Sequence, residues 1–321
     1  MELPINQILN GDSLEVLKTL PDESINCVVT SPPYFNLRDY QIEGQIGLEK
    51  TFQEYIGKLI DVFNEVKRVL KKEGTCFINL ADSYASVGKV GGDIDKDSGM
   101  DINRGRSRIQ KGTYLEKSLL LIPHRFAISM IDSGWRLRNT LLWVKPNAMP
   151  ESVQDRWKKA HEYIFFFVKS KKYYFDLDSI RTPHKDISIK RAEYEQGRNA
   201  LGMNPSSMGK KYQDNKRYMG MPARMVKLNP LGGIPPDYFL VNTNCSENDG
   251  SDEHYATYPQ NLIAPLIKSG CPDKGIILDP FMGSGTTSLV ARSLGRNYIG
   301  IELSEKYIKI AEKRLAQQIL I

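Results

Sequence analysis

A strand–helix–strand pattern in the first quarter of the chain constrains the fold more than any other feature. INCVVT (residues 25–30) and TCFINLA (residues 75–81) are apolar runs of strand length. Between them, apolar residues recur at helical spacing, namely Ile56, Leu59, Ile60, Phe63, Val66 and Leu70. Thr51 and Glu54 predict a capping box at the start of this helix, and Gly74 predicts its end. This order of elements predicts two parallel strands with one covered face.

The same alternation returns in the second half of the chain. EYIFFFVKS, GIILDPF and NYIGIEL read as buried strands, and TTSLVARSLG reads as a helix closed by Gly295. EKYIKIAEKRLAQQIL has the spacing of a final amphipathic helix. We therefore predict an α/β fold with a doubly wound, mostly parallel sheet of the Rossmann-like kind.

The composition limits the classes of protein that the chain can belong to. Hydrophobic residues make up 40% and charged residues 26% of the 321 residues, as in ordinary globular proteins. There is no apolar run of membrane length, and MELPINQIL does not read as a signal peptide, so a cytoplasmic protein without a membrane partner is expected. The four cysteines form no CxxC pair, and the histidines have no metal spacing, which favours buried thiols over disulfides or a zinc site.

The positive charge of the chain is concentrated in one segment. The net charge is +6, yet residues 181–230 alone hold eleven basic and four acidic residues, a net charge of +7. A solvated face would explain such a run, but interleaved tyrosines favour a surface that binds nucleic acid. We expect an insertion at residues 181–250 between a first half at 1–180 and a last part at 251–321. The polar, glycine-rich stretch at 86–115 predicts a mobile loop.

The stretch TSPPY (residues 30–34) ends the first strand in a stiff corner. Pro32 and Pro33 cannot donate hydrogen bonds in a central strand, and each also restricts the residue before it. The corner therefore presents a serine hydroxyl, bare carbonyl groups and the ring of Tyr34.

A second stretch, LDPFMGSGTT (residues 278–287), predicts a ligand turn. An apolar strand runs through Gly283 and Gly285 into a helix, and such a turn lets a ligand approach backbone N–H groups. Glu302 ends the next strand, where an acid can accept the hydroxyls of a ribose. A structural turn followed by a chance glutamate is the alternative.

Taken together, the two stretches resemble the amino-methylating DNA methyltransferases that use S-adenosylmethionine. TSPPY looks like their catalytic motif, and DPFMGSGTT looks like their FxGxG cofactor motif. The order of catalytic motif, basic segment and cofactor motif is that of the beta group, in which the target-recognition region lies between the two motifs. NGDSLEVLKTLPDESIN, residues 141–176 and YPQNLIAPLI (residues 258–267) also resemble segments of this group.

The resemblance implies a role for each candidate residue. Ser31, Pro32, Pro33 and Tyr34 would be catalytic, with acceptors around an exocyclic amine and the Tyr34 ring against a base swung out of duplex DNA. The cofactor S-adenosyl-L-methionine would contact Asp12, Pro259, Asp279, Phe281, Gly283, Gly285, Thr286, Thr287 and Glu302. Lys210, Lys211, Lys216 and Arg217 would bind DNA. Asp12 has a second interpretation as a helix N-cap. Asp279 would orient the glycine turn or contact the amino-acid end of the cofactor, and core capping is the alternative.

Several alternatives stay open at the level of the sequence. Within the resemblance, Ser31 favours N4 of cytosine, and N6 of adenine is the alternative. An RNA or protein N-methyltransferase, or a DNA-binding subunit with an inactive site, is less consistent with the motif order and the intact motifs. The resemblance also implies a prokaryotic, DNA-associated monomer or homodimer, with a restriction endonuclease as a possible separate partner. Trp143, Lys145 and His161 read as structural residues.

Overall fold

The computed structural model describes residues 3–37, 39, 41–85, 114–190, 192, 228–243 and 258–317. Most of the predicted loop at 86–115 and the predicted DNA-binding residues Lys210, Lys211, Lys216 and Arg217 lie outside these ranges. The chain separates into two compact units, one formed by Met1–Asp176 with Pro236–Ile321 and the other by Leu177–Pro235.

The described part of the larger unit is an α/β structure. Its strands are β1 (Gln7–Asn10), β2 (Ile25–Thr30), β3 (Leu70–Leu80), β4 (Arg136–Val144), β5 (His161–Val168), β6 (Tyr238–Leu240), β7 (Ile276–Asp279) and β8 (Asn297–Glu302). Its α-helices are α1 (Ser13–Thr19), α2 (Phe52–Val69), α3 (Ile122–Asp132), α4 (Gln260–Gly270), α5 (Thr286–Ser293) and α6 (Glu305–Gln317).

The strands form one sheet in the order β1–β8–β7–β2–β3–β5–β4–β6. All neighbours are parallel except β5, which runs antiparallel to both β3 and β4. Side chains of α1, α2 and α3 belong to the core on one face, and those of α4, α5 and α6 belong to the core on the other. The predicted doubly wound, mostly parallel sheet is confirmed.

Helix α2, which follows β2, starts where the sequence predicts, but it ends earlier. The side chain of Thr51 accepts a hydrogen bond from the backbone N–H of Glu54, as in a capping box. The prediction that Gly74 ends the helix is wrong, because α2 stops at Val69 and Leu70 is already extended. Leu70 is fully buried and pairs with Ile25 of β2, so its place in the sheet decides the boundary.

The smaller unit is tied together at its two ends. Thr182 and Gly233 exchange backbone hydrogen bonds of 3.1 and 2.8 Å, and His184 lies 2.8 Å from the carbonyl oxygen of Asn229. Gly232 has a φ of +111°, and a Cβ there would lie 2.2 Å from the carbonyl oxygen of Thr182. The predicted insertion at 181–250 overlaps this unit, but its β6 pairs with β4 and therefore belongs to the sheet of the larger unit.

Candidate active site

The two motifs meet at the carboxyl edge of the sheet. β2 ends at the TSPPY corner, β7 ends at the glycine turn, and the two strands are neighbours through the pairs Cys27–Ile277 and Val28–Leu278. The chain leaves β2 toward β3 on one side and returns through β7 on the other, so this point is a topological switch where open α/β sheets bind ligands. The hydroxyl of Thr30 donates a 2.6 Å hydrogen bond to the Asp279 carboxylate and joins the two motifs.

A cavity of about 300 Å³ opens at this edge. It is lined by most of the predicted site residues, namely Asp12, Ser31, Pro32, Pro33, Tyr34, Phe281, Gly283, Thr286 and Glu302. Four predicted cofactor residues do not line it, namely Pro259, Asp279, Gly285 and Thr287. One cavity therefore brings the catalytic motif and the cofactor motif together.

A buried polar network holds the Tyr34 side chain at the corner. The Tyr34 hydroxyl donates to the Glu162 carboxylate at 2.6 Å and accepts from the amide nitrogen of Asn79 at 2.8 Å. Ser31 donates to the same hydroxyl at 3.3 Å, and Lys145 forms an ion pair with Glu162. Burial and the nearby Glu162 charge raise the pKa of Tyr34 well above its ordinary value, so the phenol is neutral and acts as a donor. The ring is fixed by its hydroxyl.

Helix α2 supports the corner from the other side. The buried Tyr55 hydroxyl donates a 2.7 Å hydrogen bond to the carbonyl oxygen of Pro33. The N–H of Asn36 donates to the carbonyl oxygen of Gly47 at 2.7 Å and ties the segment after the corner to the next loop. These contacts keep the backbone of the corner in one conformation.

The glycine turn and Glu302 form the opposite wall of the cavity. Gly283 and Gly285 have φ values of +54° and +82°, which favour glycine. One oxygen of the Glu302 carboxylate accepts from the N–H of Gly283 and the other from the N–H of Ser304, each at 2.8 Å. Burial raises the pKa of Glu302, and these two donors oppose the shift. The carboxylate is thus oriented by the turn that it lies beside.

Asp279 and Thr287 lie behind the turn rather than at the cavity. The Asp279 carboxylate accepts hydrogen bonds from Thr30, Thr287, Tyr258 and the N–H of Phe281, and it is 1% exposed. Burial raises its pKa, while these donors lower it. This geometry supports the interpretation of Asp279 as the residue that orients the glycine turn.

Gly285 and Pro259 also have positions that the sequence did not reveal. A Cβ on Gly285 would lie 2.9 Å from the Cβ of Ala311, so this glycine permits close packing of α6. Pro259 is the N-cap of α4, and its neighbour Tyr258 lines the cavity instead.

Asp12 combines the two interpretations that the sequence left open. Its carboxylate accepts from the N–H groups of Leu14 and Glu15 at 2.9 and 3.1 Å, which caps α1. The same residue lines the cavity.

The cavity is also lined by Asn79, Glu162 and Tyr258, which the sequence does not single out, and by Lys145, which the sequence analysis reads as structural. Asn79 and Glu162 are buried polar residues inside apolar strands, and buried charge is rare without a partner. A polar residue inside an apolar strand was therefore the sequence signal that could have identified Asn79 and Glu162 as members of the site. Their meeting depends on the pairing of β3 with β5, which is antiparallel.

Comparison with known proteins shows the family to which the chain belongs. The model of the DNA methylase family N6_N4_Mtase matches residues 25–313. The Type II methyltransferase M.SmaI of Serratia marcescens is 36% identical over 97% of this chain and 91% of its own length. The Type II methyltransferase M.XycI of Xanthomonas campestris pv. cyanopsidis is 37% identical over 97% of this chain and 88% of its own.

Solved structures share the fold. The PvuII DNA methyltransferase (cytosine-N4-specific) superposes with a TM-score of 0.62 at 20% identity, covering 96% of this chain and 85% of that one. The M1.HpyAVI–SAM complex gives a TM-score of 0.52 at 18% identity, covering 96% and 98%. No helix in the described ranges is long and apolar enough to cross a membrane. The chain belongs to the DNA methylase family N6_N4_Mtase, with the motif order of the beta-group amino DNA methyltransferases.

Proposed function

We propose that this protein transfers a methyl group from S-adenosyl-L-methionine to the N4 amine of a cytosine that is turned out of duplex DNA. The observation that carries the proposal is the single cavity shared by the TSPPY corner and the glycine turn. An amine held at the corner and a cofactor held at the turn would lie side by side in it.

The residues of the glycine turn fit the cofactor. Within the described ranges, a Cβ on Gly283 would meet no atom within 4 Å, so open space lies beside this backbone. Glu302 has two oriented oxygens that can accept ribose hydroxyls, and Phe281 and Ile301 add apolar surface for an adenine ring. When bound, S-adenosylmethionine supplies an electrophilic methyl group on a sulfonium sulfur. The chain's own part is to hold this group in one orientation.

The corner has the acceptors that the target amine needs. The lone pair of an exocyclic amine is delocalised into its ring, and acceptors placed around its N–H groups favour a pyramidal nitrogen. The Ser31 hydroxyl and the Pro32 carbonyl are suitable acceptors on a backbone that the prolines make stiff. The ring of Tyr34, fixed by Asn79 and Glu162, offers a surface for stacking on the base. Fixed dipoles of this kind are the main source of rate in many enzymes.

Ser31 supports cytosine as the target base, and adenine N6 is the alternative within the family. The names of the M.SmaI and M.XycI relatives support a role as the modification enzyme of a restriction–modification system. In this proposal residues 1–180 carry catalysis, residues 251–321 carry the cofactor, and residues 181–250 recognise the DNA sequence. Lys210, Lys211, Lys216 and Arg217 would then contact phosphates.

The test is to express the protein in a bacterial host that lacks DNA methylation and to sequence the genome by a single-molecule method. We expect N4-methylcytosine at one short recurring sequence, and a much smaller modified fraction of those sites in cells with the Ser31→Ala variant at matched expression. N6-methyladenine at a recurring sequence would transfer the proposal to the alternative base. Unmodified DNA from cells that contain folded protein with bound cofactor would refute DNA methylation.

A further inference from the structure

The loop between β4 and β5, residues 145–160, carries an unusual aromatic side chain and is here called the Trp157 loop. The chain has three tryptophans. Trp135 and Trp143 are 2% and 4% exposed, whereas Trp157 is 94% exposed. Met149 and Val153 of the same loop are 74% and 43% exposed. Burial of an indole ring stabilises a protein, and Trp157 lacks this stabilisation because its ring is exposed to water. Together with Met149 and Val153, it gives the loop exposed apolar surface that a binding partner can cover.

Hydrogen bonds, an ion pair and a cation–π contact hold the Trp157 loop in one conformation. Its ends are joined by a 2.8 Å hydrogen bond from the N–H of Lys145 to the carbonyl oxygen of Ala160. Arg156 forms an ion pair with Glu151 at 2.6 Å and lies over the ring of Tyr84 at 4.1 Å. Lys158 donates to the carbonyl oxygen of Ala148 at 3.1 Å.

Two further contacts fasten the Trp157 loop to the body of the larger unit. Lys159 donates to the carbonyl oxygen of Asp82 at 2.5 Å, and Asp155 pairs with Lys117 at 2.6 Å. The indole of Trp157 is therefore presented on a fixed backbone rather than on a free tail. A ring that is held in place before binding loses less conformational entropy when a partner covers it.

The base of the Trp157 loop lies at the active-site cavity. Lys145, its first residue, and Glu162, two residues after its end, form the ion pair that lines the cavity. The loop holds four basic and two acidic residues, a net charge of +2, and Arg156 and Lys158 are the neighbours of Trp157 in the sequence. Aromatic rings among cations suit nucleic acid, because bases stack on the ring and phosphates pair with the cations.

We propose that the Trp157 loop is a second DNA-contacting surface, separate from the basic insertion, and that Trp157 stacks on a base of the duplex next to the target. A base that leaves the duplex exposes the faces of its neighbours, and an indole can cover such a face. This inference rests on the proposed function, because it requires duplex DNA at the cavity.

The positions of the tryptophans allow a direct test in the unaltered protein. Acrylamide quenching of tryptophan emission is measured with and without saturating duplex that contains the methylated sequence. Trp157 should dominate quenching in the free protein and become protected with DNA, while Trp157→Phe should leave only slow quenching from two buried rings. Accessibility that DNA leaves unchanged would overturn the proposal. Protection that appears without DNA as protein concentration rises would also overturn it, in favour of contact between two copies of the chain.

Substitution tests the energy of the same contact. Trp157→Ala should weaken binding to this duplex by about 5- to 150-fold, the range for one stacked base, and leave affinity for S-adenosylmethionine unchanged. Trp157→Phe should recover most of the binding. Ile128→Ala is the control, because Ile128 is 59% exposed on α3, outside the Trp157 loop. Wild-type DNA affinity in Trp157→Ala would refute the contact, whereas a wild-type protein that methylates no DNA would refute the proposed function instead.

Discussion

Ser31 lies where the first central strand gives way to two prolines, and its hydroxyl donates to the Tyr34 hydroxyl at 3.3 Å. Removal of the Ser31 hydroxyl leaves the hydrogen bonds of Tyr34 to Glu162 and Asn79 intact. The corner should therefore keep its shape in Ser31→Ala. The change isolates the chemical contribution of one acceptor.

We predict that Ser31→Ala slows methyl transfer by about 10²–10³, as when one preorganised polar group is deleted. Binding of DNA and of cofactor should stay within a few fold of the wild type. Single-turnover methylation with saturating DNA and cofactor measures the step directly. Transfer at the wild-type rate would remove the hydroxyl from the mechanism and weaken the argument for cytosine.

The two glycines of the cofactor turn have different reasons to be glycine. Both have positive φ, so alanine is strained at either position, by about 1–2 kcal/mol. A Cβ on Gly283 enters open space beside the cavity, whereas a Cβ on Gly285 presses on Ala311 at 2.9 Å. An added methyl group should therefore disturb the cavity at Gly283 and the packing of α6 at Gly285.

We predict that Gly285→Ala lowers the free energy of unfolding more than Gly283→Ala does, by about a further 1 kcal/mol, because of the overpacked contact. Gly283→Ala should instead lose more affinity for S-adenosylmethionine. Denaturant unfolding and titration calorimetry on both variants make the comparison, and each variant is the control for the other. Cofactor affinity at the wild-type level in both variants would show that the turn is only structural.

At the scale of elements, α2 is the support of the catalytic corner as well as a cover for the sheet. Tyr55 is fully buried, and its hydroxyl satisfies the carbonyl oxygen of Pro33. Removal of this donor leaves a partly buried carbonyl without this hydrogen bond, which costs about 1 kcal/mol. A displaced corner would misalign the amine, and small misalignments cost as much as about 10² in rate.

We therefore predict that Tyr55→Phe slows methyl transfer by about 10- to 100-fold and leaves cofactor affinity unchanged. Tyr114→Phe is the matched control, since the Tyr114 hydroxyl bonds to Gln53 of the same helix at 2.7 Å on an exposed face. Rates are compared after thermal unfolding confirms that both variants are folded at the assay temperature. Equal rates for the two variants would contradict the supporting role of α2.

The sequence predicts those parts of the structure that depend on local patterns. The strand predicted at residues 25–30 is observed with the same bounds. Gly295, the predicted end of the helix before it, lies just after α5 with a φ of +71°, as is common for a glycine that ends a helix. The two motifs lie at the predicted edge of the sheet because both follow apolar strands. Periodicity and turn chemistry carry this information in a few neighbouring residues.

The remaining features depend on contacts between distant residues. Tyr34 meets Glu162 across 128 residues, and only the order of the strands brings them together. Helix α2 ends before Gly74 because Leu70 pairs with Ile25 in the sheet. The close approach of Gly285 to Ala311 of α6 is a further contact of this kind, because no local pattern reveals how that helix packs.

At the scale of the whole molecule, the uneven charge is the property that bears on function. The segment 181–230 has a net charge of +7, so the rest of the chain sums to about −1. A protein built in this way attracts a polyanion to one segment, and each neutralised phosphate releases counterions from DNA. The dependence of DNA affinity on salt therefore reports how many phosphates the segment neutralises.

We predict that replacement of Lys210, Lys211, Lys216 and Arg217 by glutamine weakens DNA binding and lowers the slope of log affinity against log salt by about 0.9 for each phosphate that the variant no longer neutralises. Affinity for S-adenosylmethionine should stay unchanged, because none of the four replaced residues belongs to the glycine turn or to the strand end at Glu302. The control removes the same number of charges at exposed lysines near the opposite edge of the sheet, namely Lys72, Lys171, Lys172 and Lys274. The control variant should keep the wild-type slope. Equal slopes for the insertion variant and the wild type would mean that the basic segment is a solvated face, and the search for sequence recognition would then turn to the Trp157 loop.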